Sequence, residues 1–183
     1  LVESGRIEEC LVLFEEALDL AVRHGFHYLT TNILSNLSAY TYLKDIAKGR
    51  EYALRSLEVA KREYIIPSEA GSYAWLSYLD WLKGDWSVAL DGVERALGMA
   101  QRLGFMNDPI QHGEVCKGLV LLGMGDVDEA EKHLDNSNVK KNPLIMHVVA
   151  FNLAMGKIRL DQGRADDART YFEACVDKFK KSE

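Results

Sequence analysis

The segment LKGDWSVALDGVERALGMAQRLGF, from Leu82 to Phe105, contains the pattern that decides the fold. Its Gly-Asp pair at Gly84 predicts a turn, and the residues that follow have the apolar spacing of an amphipathic helix. The same combination of turn and helix occurs at four other places, at offsets of 39, 40, 41 and 38 residues. This regular spacing indicates an internal repeat of about 40 residues. The five turns begin at Gly5, Lys44, Gly84, Gly125 and Gly163.

Two positions in the helix of each repeat always hold a small residue. The positions are seven residues apart, which is nearly two helical turns, so both lie on one stripe of the helix. A stripe of small side chains lets a second helix approach closely, while larger apolar neighbours fill the space beside it. We therefore expect Cys10 and Cys175 to be core residues rather than reactive thiols. The small residues are Cys10, Gly49, Ala89, Ala130 and Ala168 at the first position, and Ala17, Ser56, Ala96, Ser137 and Cys175 at the second.

Each of these helices is predicted to be the second member of a helix pair. No segment shows the period-two alternation of a strand, so we expect no sheet. Ser68, Asp108 and Asn142 are candidate N-caps, and Gly25 and Gly104 are candidate helix stops. The predicted first helices cover residues 27–43, 68–83, 109–124 and 143–162, and the second helices cover 6–24, 45–64, 85–104, 126–138 and 164–180.

This arrangement resembles the tetratricopeptide repeat family. The resemblance rests on the two small positions, on Gly-Asp-x-x-x-small at the turn, and on Ser77, Gly118 and Gly156, each seven residues before a turn glycine. The second repeat departs from the pattern with Leu37 and Lys44. The resemblance implies an all-α, right-handed superhelical solenoid of antiparallel helix pairs, a single array over residues 1–183 with about four and a half repeats. The long period and the Ala-x-Arg-x-Gly-Phe endings are similar to the helical C-terminal regions of LuxR-type and cyclase-linked ATPase regulators, and to Leu-Gly-Asn-type scaffolds.

The resemblance also implies a concave groove, lined by the first helices, that holds a peptide or a partner helix. The matching positions are mostly apolar or aromatic, so an amphipathic helix is expected there rather than an acidic tail. Tyr78 and Trp81 would be its anchors, although packing of both against neighbouring repeats is an open alternative. Trp75 and Trp86 are expected in the core. The predicted groove residues are Leu34, Ser38, Tyr42, Ala74, Tyr78, Trp81, Val115, Leu119, Leu122 and Lys157.

Composition and missing motifs argue against several other classes. The net charge of −6 disfavours nucleic acid as a partner of this segment. No apolar run approaches the roughly 20 residues that span a membrane, and three cysteines without C-x-x-C fit a reducing cytoplasm. Motifs for nucleotide binding, zinc proteolysis or a nucleophile elbow do not occur, so we expect no enzyme, no cofactor and no metal site. A chain that begins at Leu1 is expected to be a fragment of a larger protein.

Two classes of function remain open. The first is a protein-interaction and sensor scaffold, the regulatory part of a multidomain cytoplasmic signalling or transcription regulator. The second is an effector-sensing domain that binds a small molecule on its concave face, which would need a pocket with convergent polar groups. A further possibility is self-association or intramolecular regulation. Leu11, Phe14 and Leu18 would be partly bare at the truncated end of the array and could form a homodimer.

Overall fold

A computed structural model describes residues 7–42, 44–104, 108–137 and 145–180, and every regular element in these ranges is an α-helix. The all-α prediction is therefore confirmed. The nine helices of the described residues are α1 (Ile7–Arg23), α2 (His27–Thr41), α3 (Ile46–Arg62), α4 (Ile66–Lys83), α5 (Trp86–Leu103), α6 (Asp108–Met124), α7 (Val127–Asn136), α8 (Ile145–Asp161) and α9 (Ala165–Lys180).

The helices form a solenoid of antiparallel pairs. The pairs are α2 with α3, α4 with α5, α6 with α7 and α8 with α9, and α1 packs on α2. Consecutive first helices (α2, α4, α6, α8) have Cα atoms within 8 Å of each other, whereas the described second helices (α1, α3, α5, α7, α9) do not. Because the first helices are closer together, the array bends towards them. They form the inner, concave layer, as the sequence predicts.

The small residues lie where the two helices of each pair meet. Nine of the ten are buried, and Ala17 is half-buried because no described first helix covers that side of α1. A Cβ atom built on Gly118 would lie 2.6 Å from Leu134 Cγ, so α6 and α7 leave no room there for a side chain. Cys10 and Cys175 are buried, and burial raises the pKa of the Cys175 thiol. Their assignment to the core is confirmed.

Glycine ends most of the helices by adopting a left-handed conformation that other residues rarely adopt. Gly84, Gly125 and Gly163 have φ values of 85°, 90° and 74° at the turns inside the pairs. The predicted stops at Gly25 and Gly104 are confirmed, with φ values of 68° and 66°.

The second repeat follows a different register because Lys44 replaces the turn glycine. There α2 ends at Thr41, and Tyr42 caps it in the right-handed conformation. Ser38, not Leu37, faces α3, and its hydroxyl donates to the carbonyl oxygen of Gly49 at 2.6 Å. The exposed face of α2 is therefore rotated relative to the pattern of the other first helices.

Three helix ends differ from the sequence prediction. Helix α4 begins at Ile66, so Ser68 is not its N-cap, and Pro67 occupies the first turn, where its missing N–H costs nothing. Asp108 is the first residue of α6 rather than its cap. Helix α7 is shorter than the predicted 126–138. The predicted cap at Asn142 and the first turn at Gly5 lie outside the described residues.

Candidate binding groove

A cluster of aromatic side chains joins three first helices in the concave layer. The Tyr42 ring on α2 meets the Trp75 and Tyr78 rings of α4 edge-on, at centroid distances of 5.3 and 5.9 Å. The Tyr78 ring is 5.2 Å from that of Trp75 and 5.6 Å from that of Trp81. His112 on α6 is 5.5 Å from Trp75. We name these five residues the aromatic ladder. Its rings adopt the offset and edge-on arrangements that favour aromatic pairs.

A hydrogen bond holds the Trp75 ring of the aromatic ladder in place. The Trp75 indole Nε1–H donates to Ser38 Oγ at 2.5 Å, and Trp75 is buried, which confirms its place in the core. Tyr78 is half-buried. Burial first, and the neighbouring Tyr42 second, raise the pKa of the Tyr78 hydroxyl well above its usual range. The Tyr78 hydroxyl is therefore neutral at physiological pH, and the four tyrosine and tryptophan rings make the ladder largely aromatic.

Five of the ten predicted groove residues are too buried to touch a ligand in this structure. Packing within the array covers them: Leu34 lies in a cluster with residues of α1 and α3, and Ser38 forms a hydrogen bond with α3. Val115 and Leu119, for example, share a cluster with Val148 and Phe151 of α8. The five buried residues are Leu34, Ser38, Ala74, Val115 and Leu119, with exposures between 0% and 5%.

The other five predicted residues remain accessible. Tyr42, Tyr78, Trp81 and Leu122 are half-buried, and Lys157 is exposed. The first four come from three consecutive first helices, because Tyr42, Trp81 and Leu122 lie near the C-terminal ends of α2, α4 and α6. Lys157 lies on α8, where its Nζ is 3.0 Å from Asp161 Oδ2. The accessible groove is therefore an aromatic strip with a charged pair at one end.

Other residues of the first helices are also accessible. Because of the register of α2, Asn32, Asn36 and Ala39 lie on the side opposite its buried face, and Asn36 Nδ2 donates to the Asn32 carbonyl at 2.9 Å. Leu82, next to Trp81, is 38% exposed.

Trp86 lies outside the core, although the sequence predicts it to be a core residue. It is 40% exposed on α5, so that expectation is wrong. Its indole ring covers Gly123 of α6 instead, and a Cβ atom added to Gly123 would lie 3.1 Å from that ring. Trp86 therefore packs at the edge of the contact between two repeats, where one side of the ring stays open to solvent.

Two depressions are large enough for a small molecule. One of about 350 Å³ is formed by α8 and α9, and one of about 550 Å³ lies on α1. Both are at the ends of the array. Within the described ranges, no three histidine, cysteine or acidic side chains are grouped as a metal site would require. None of the helices that the structure describes is long and apolar enough to cross a membrane.

Comparison with known proteins supports the fold. No protein-family model matches the chain. No curated protein matches it either. The crystal structure of the apo form of RapI aligns with a TM-score of 0.73 at 16% identity, over 99% of this chain and 65% of RapI. The crystal structure of MamA aligns with a TM-score of 0.52 at 17% identity, over 97% of this chain and 91% of MamA.

These similarities define the class of protein. At such low identity they show the fold alone, and the chain spans only 65% of the length of RapI. Together with the paired helices, the turn glycines and the small stripes, they make this a helical-repeat solenoid of the tetratricopeptide type.

Proposed function

We propose that this chain is a scaffold that binds a peptide or an amphipathic partner helix on its concave layer. The observation that carries the proposal is the aromatic ladder, with Tyr42, Tyr78 and Trp81 half-buried on adjoining first helices. Aromatic side chains dominate binding energy at protein interfaces, and a groove between helices suits an apolar helix face.

A peptide fits this surface better than a small effector. A small molecule is usually enclosed by a concave pocket that buries most of its surface. The concave layer is instead a strip that runs across α2, α4 and α6 and ends near Lys157 on α8. A strip of this kind can follow an extended or helical segment along several repeats. We further propose that the chain is the regulatory part of a multidomain cytoplasmic signalling or transcription regulator, as its resemblance to long-repeat ATPase regulators implies.

The proposal can be tested by capturing proteins from a lysate of the source cell. The Tyr78→Ala/Trp81→Ala variant, with its fold checked by circular dichroism, should lose the specific partner, because an anchor residue typically contributes about 2 kcal/mol or more. Leu82→Asp is a second variant that changes only an exposed side chain of the groove. Tyr64→Ala is the matched control, since Tyr64 is 87% exposed in the turn before α4.

A partner that is captured by the parent and by Tyr64→Ala, but not by the two groove variants, would support the proposal. Equal capture by all four proteins would contradict it. The effector-sensing alternative would then be tested by a thermal-shift screen of metabolites.

A further inference from the structure

The last helix pair exposes an apolar and charged surface that interior pairs cover. Val176 on α9 is 50% exposed, whereas Leu97, at the same repeat position on α5, is 6% exposed. Leu160 at the end of α8 is 51% exposed. Together with Phe172 and Arg169 these residues line the depression of about 350 Å³. We name this surface the α9 face.

Interior repeats show which side chains cover this surface. In each of them the second helix packs against the first helix of the next pair. The position six residues after the turn residue forms an ion pair across that contact in two repeats. Arg50 Nε lies 3.0 Å from Asp80 Oδ1, between α3 and α4. Glu131 Oε1 lies 2.5 Å from Arg159 Nη1, between α7 and α8, with the charges exchanged.

Arg169 occupies this same position on α9. It is exposed, and it forms no ion pair with any residue that the structure describes. By analogy with Arg50, a helix that covers the α9 face should present an acidic residue to it.

Two more positions define the rest of the covering helix. Glu94 on α5 pairs with Lys117 of α6 at 3.1 Å, and Glu173 is its equivalent on α9. Leu97 packs against Gly113 of α6, whose added Cβ would lie 2.8 Å from Leu97 Cδ2. The covering helix should therefore run antiparallel to α9 and present a small residue to Val176. Four residues further along its own sequence, the covering helix should present a basic residue to Glu173. Another four residues further, it should present an acidic residue to Arg169.

Helix α9 itself carries this order of residues. Ala165, Arg169 and Glu173 are small, basic and acidic at intervals of four. In an antiparallel pair of α9 helices, Ala165 would pack against Val176 of the second copy, and Arg169 would lie beside Glu173 of the second copy. The two-fold symmetry repeats both contacts with the copies exchanged. A two-fold interface requires such a self-complementary surface.

We propose that the α9 face is a two-fold dimerisation surface and that its occupant is α9 of a second copy of this chain. The reciprocal Arg169–Glu173 pairs set the register, and Leu160, Phe172 and Val176 supply the apolar contact. This inference does not depend on the concave groove, because the accessible aromatic residues of the groove lie on α4 and at the end of α2 rather than on α9.

Charge reversal gives a decisive test by sedimentation velocity over a range of concentrations. Arg169→Glu alone places two acids opposite each other, and Glu173→Arg alone places two bases opposite each other. Either variant should weaken dimerisation by roughly tenfold or more, since like charges across an interface are strongly unfavourable. An equimolar mixture of the two variants should form a heterodimer, and the double variant Arg169→Glu/Glu173→Arg should recover the homodimer.

Two further variants separate this surface from the opposite end of the array. Val176→Asp should abolish the dimer. Leu20→Asp, at a residue that is 55% exposed on α1, should leave it unchanged. A parent chain that stays monomeric at all concentrations overturns the proposal. So does a dimer that survives both single charge reversals, or one that is lost with Leu20→Asp alone.

Discussion

The two halves of the array satisfy the same packing requirement with different chemistry. Where α2, α3 and α4 meet, the buried contact is a chain of hydroxyl groups. Thr31 Oγ1 lies 2.8 Å from Ser68 Oγ, and Ser72 Oγ donates to Ser56 Oγ at 3.0 Å. Ser35 Oγ adds a contact of 3.3 Å to Ser56 Oγ. We name this the hydroxyl contact.

The contact between α6, α7 and α8 is apolar instead. Val115 and Leu119 pack with Leu134, Phe151 and Ile158, and all five are buried. We name this the apolar contact. Hydrogen bonds are directional and fix the positions of their partners, whereas apolar packing is non-directional and depends on how well side chains fill the available space. The comparison predicts that mutations that change side-chain volume in the apolar contact lower the unfolding free energy most. Loss of a single hydroxyl in the hydroxyl contact should lower it less.

The largest effect is expected from Ile158→Ala in the apolar contact. Ile158 is fully buried, so the change removes buried methyl groups and leaves a cavity, at a cost of about 2–5 kcal/mol in unfolding free energy. Urea denaturation would measure it. Leu153→Ala is the control on the same helix, because Leu153 is 50% exposed and its loss should cost much less. Equal losses for the two variants would show that burial does not determine the stability of α8.

Replacing two helical glycines by alanine should have smaller effects on stability, and the two effects should be opposite in sign. Gly118→Ala places a methyl group 2.6 Å from Leu134 Cγ and should destabilise the chain by about 1–3 kcal/mol through overpacking. Gly98→Ala, in α5, meets nothing within 4 Å and should stabilise it by about 0.5–1 kcal/mol through helix propensity. Thermal unfolding of the two variants would decide. Stabilisation by both would contradict the close approach of α6 and α7.

The sequence alone predicts which of the described helices pair and where the turns at Lys44, Gly84, Gly125 and Gly163 lie, because the small positions and turn glycines depend on local packing. It does not predict the register of α2. Without a glycine at Lys44, the helix ends in the right-handed conformation at Tyr42, and Ser38 takes the position against α3. That choice depends on how Ser38 and Gly49 fit together, which no periodicity reveals.

The sequence also cannot separate groove residues from residues between repeats. An apolar side chain on a first helix can face the concave surface or the next first helix. In the sequence, both kinds of position belong to the same apolar face of the helix. Leu119 is covered by the next repeat, while Leu122, one turn later, is half-buried. The difference comes from the bend of the array, which is a property of several helices together. Positions on α9 are ambiguous for the same reason, since they are covered in every interior repeat.

A moderate effect is expected from Ser56→Ala in the hydroxyl contact. Ser56 is fully buried, and its hydroxyl accepts from Ser72 and donates to the Thr31 carbonyl at 3.2 Å. Its loss leaves Ser72 without that acceptor and should cost about 1–2 kcal/mol. Ser87→Ala, at an exposed position of α5, should change stability by less than about 0.5 kcal/mol. A neutral Ser56→Ala would mean that shape alone holds the hydroxyl contact together.

The last effect differs from the others because it depends on pH, and it concerns the junction of α1 and α3. Burial first, and the hydrogen bond to Glu15 second, raise the pKa of Tyr52 to about 12. An unfolded tyrosine titrates near pH 10, so the unfolded chain releases this proton first. The stabilisation is therefore complete below about pH 10 and is lost as the pH rises towards 12.

Ultraviolet absorbance of the phenolate would follow the titration, and urea denaturation at several pH values would follow stability. Tyr52→Phe should remove this part of the alkaline decline, because phenylalanine has no proton to lose. If parent and variant decline in parallel between pH 10 and 12, the hydroxyl of Tyr52 does not hold α1 against α3.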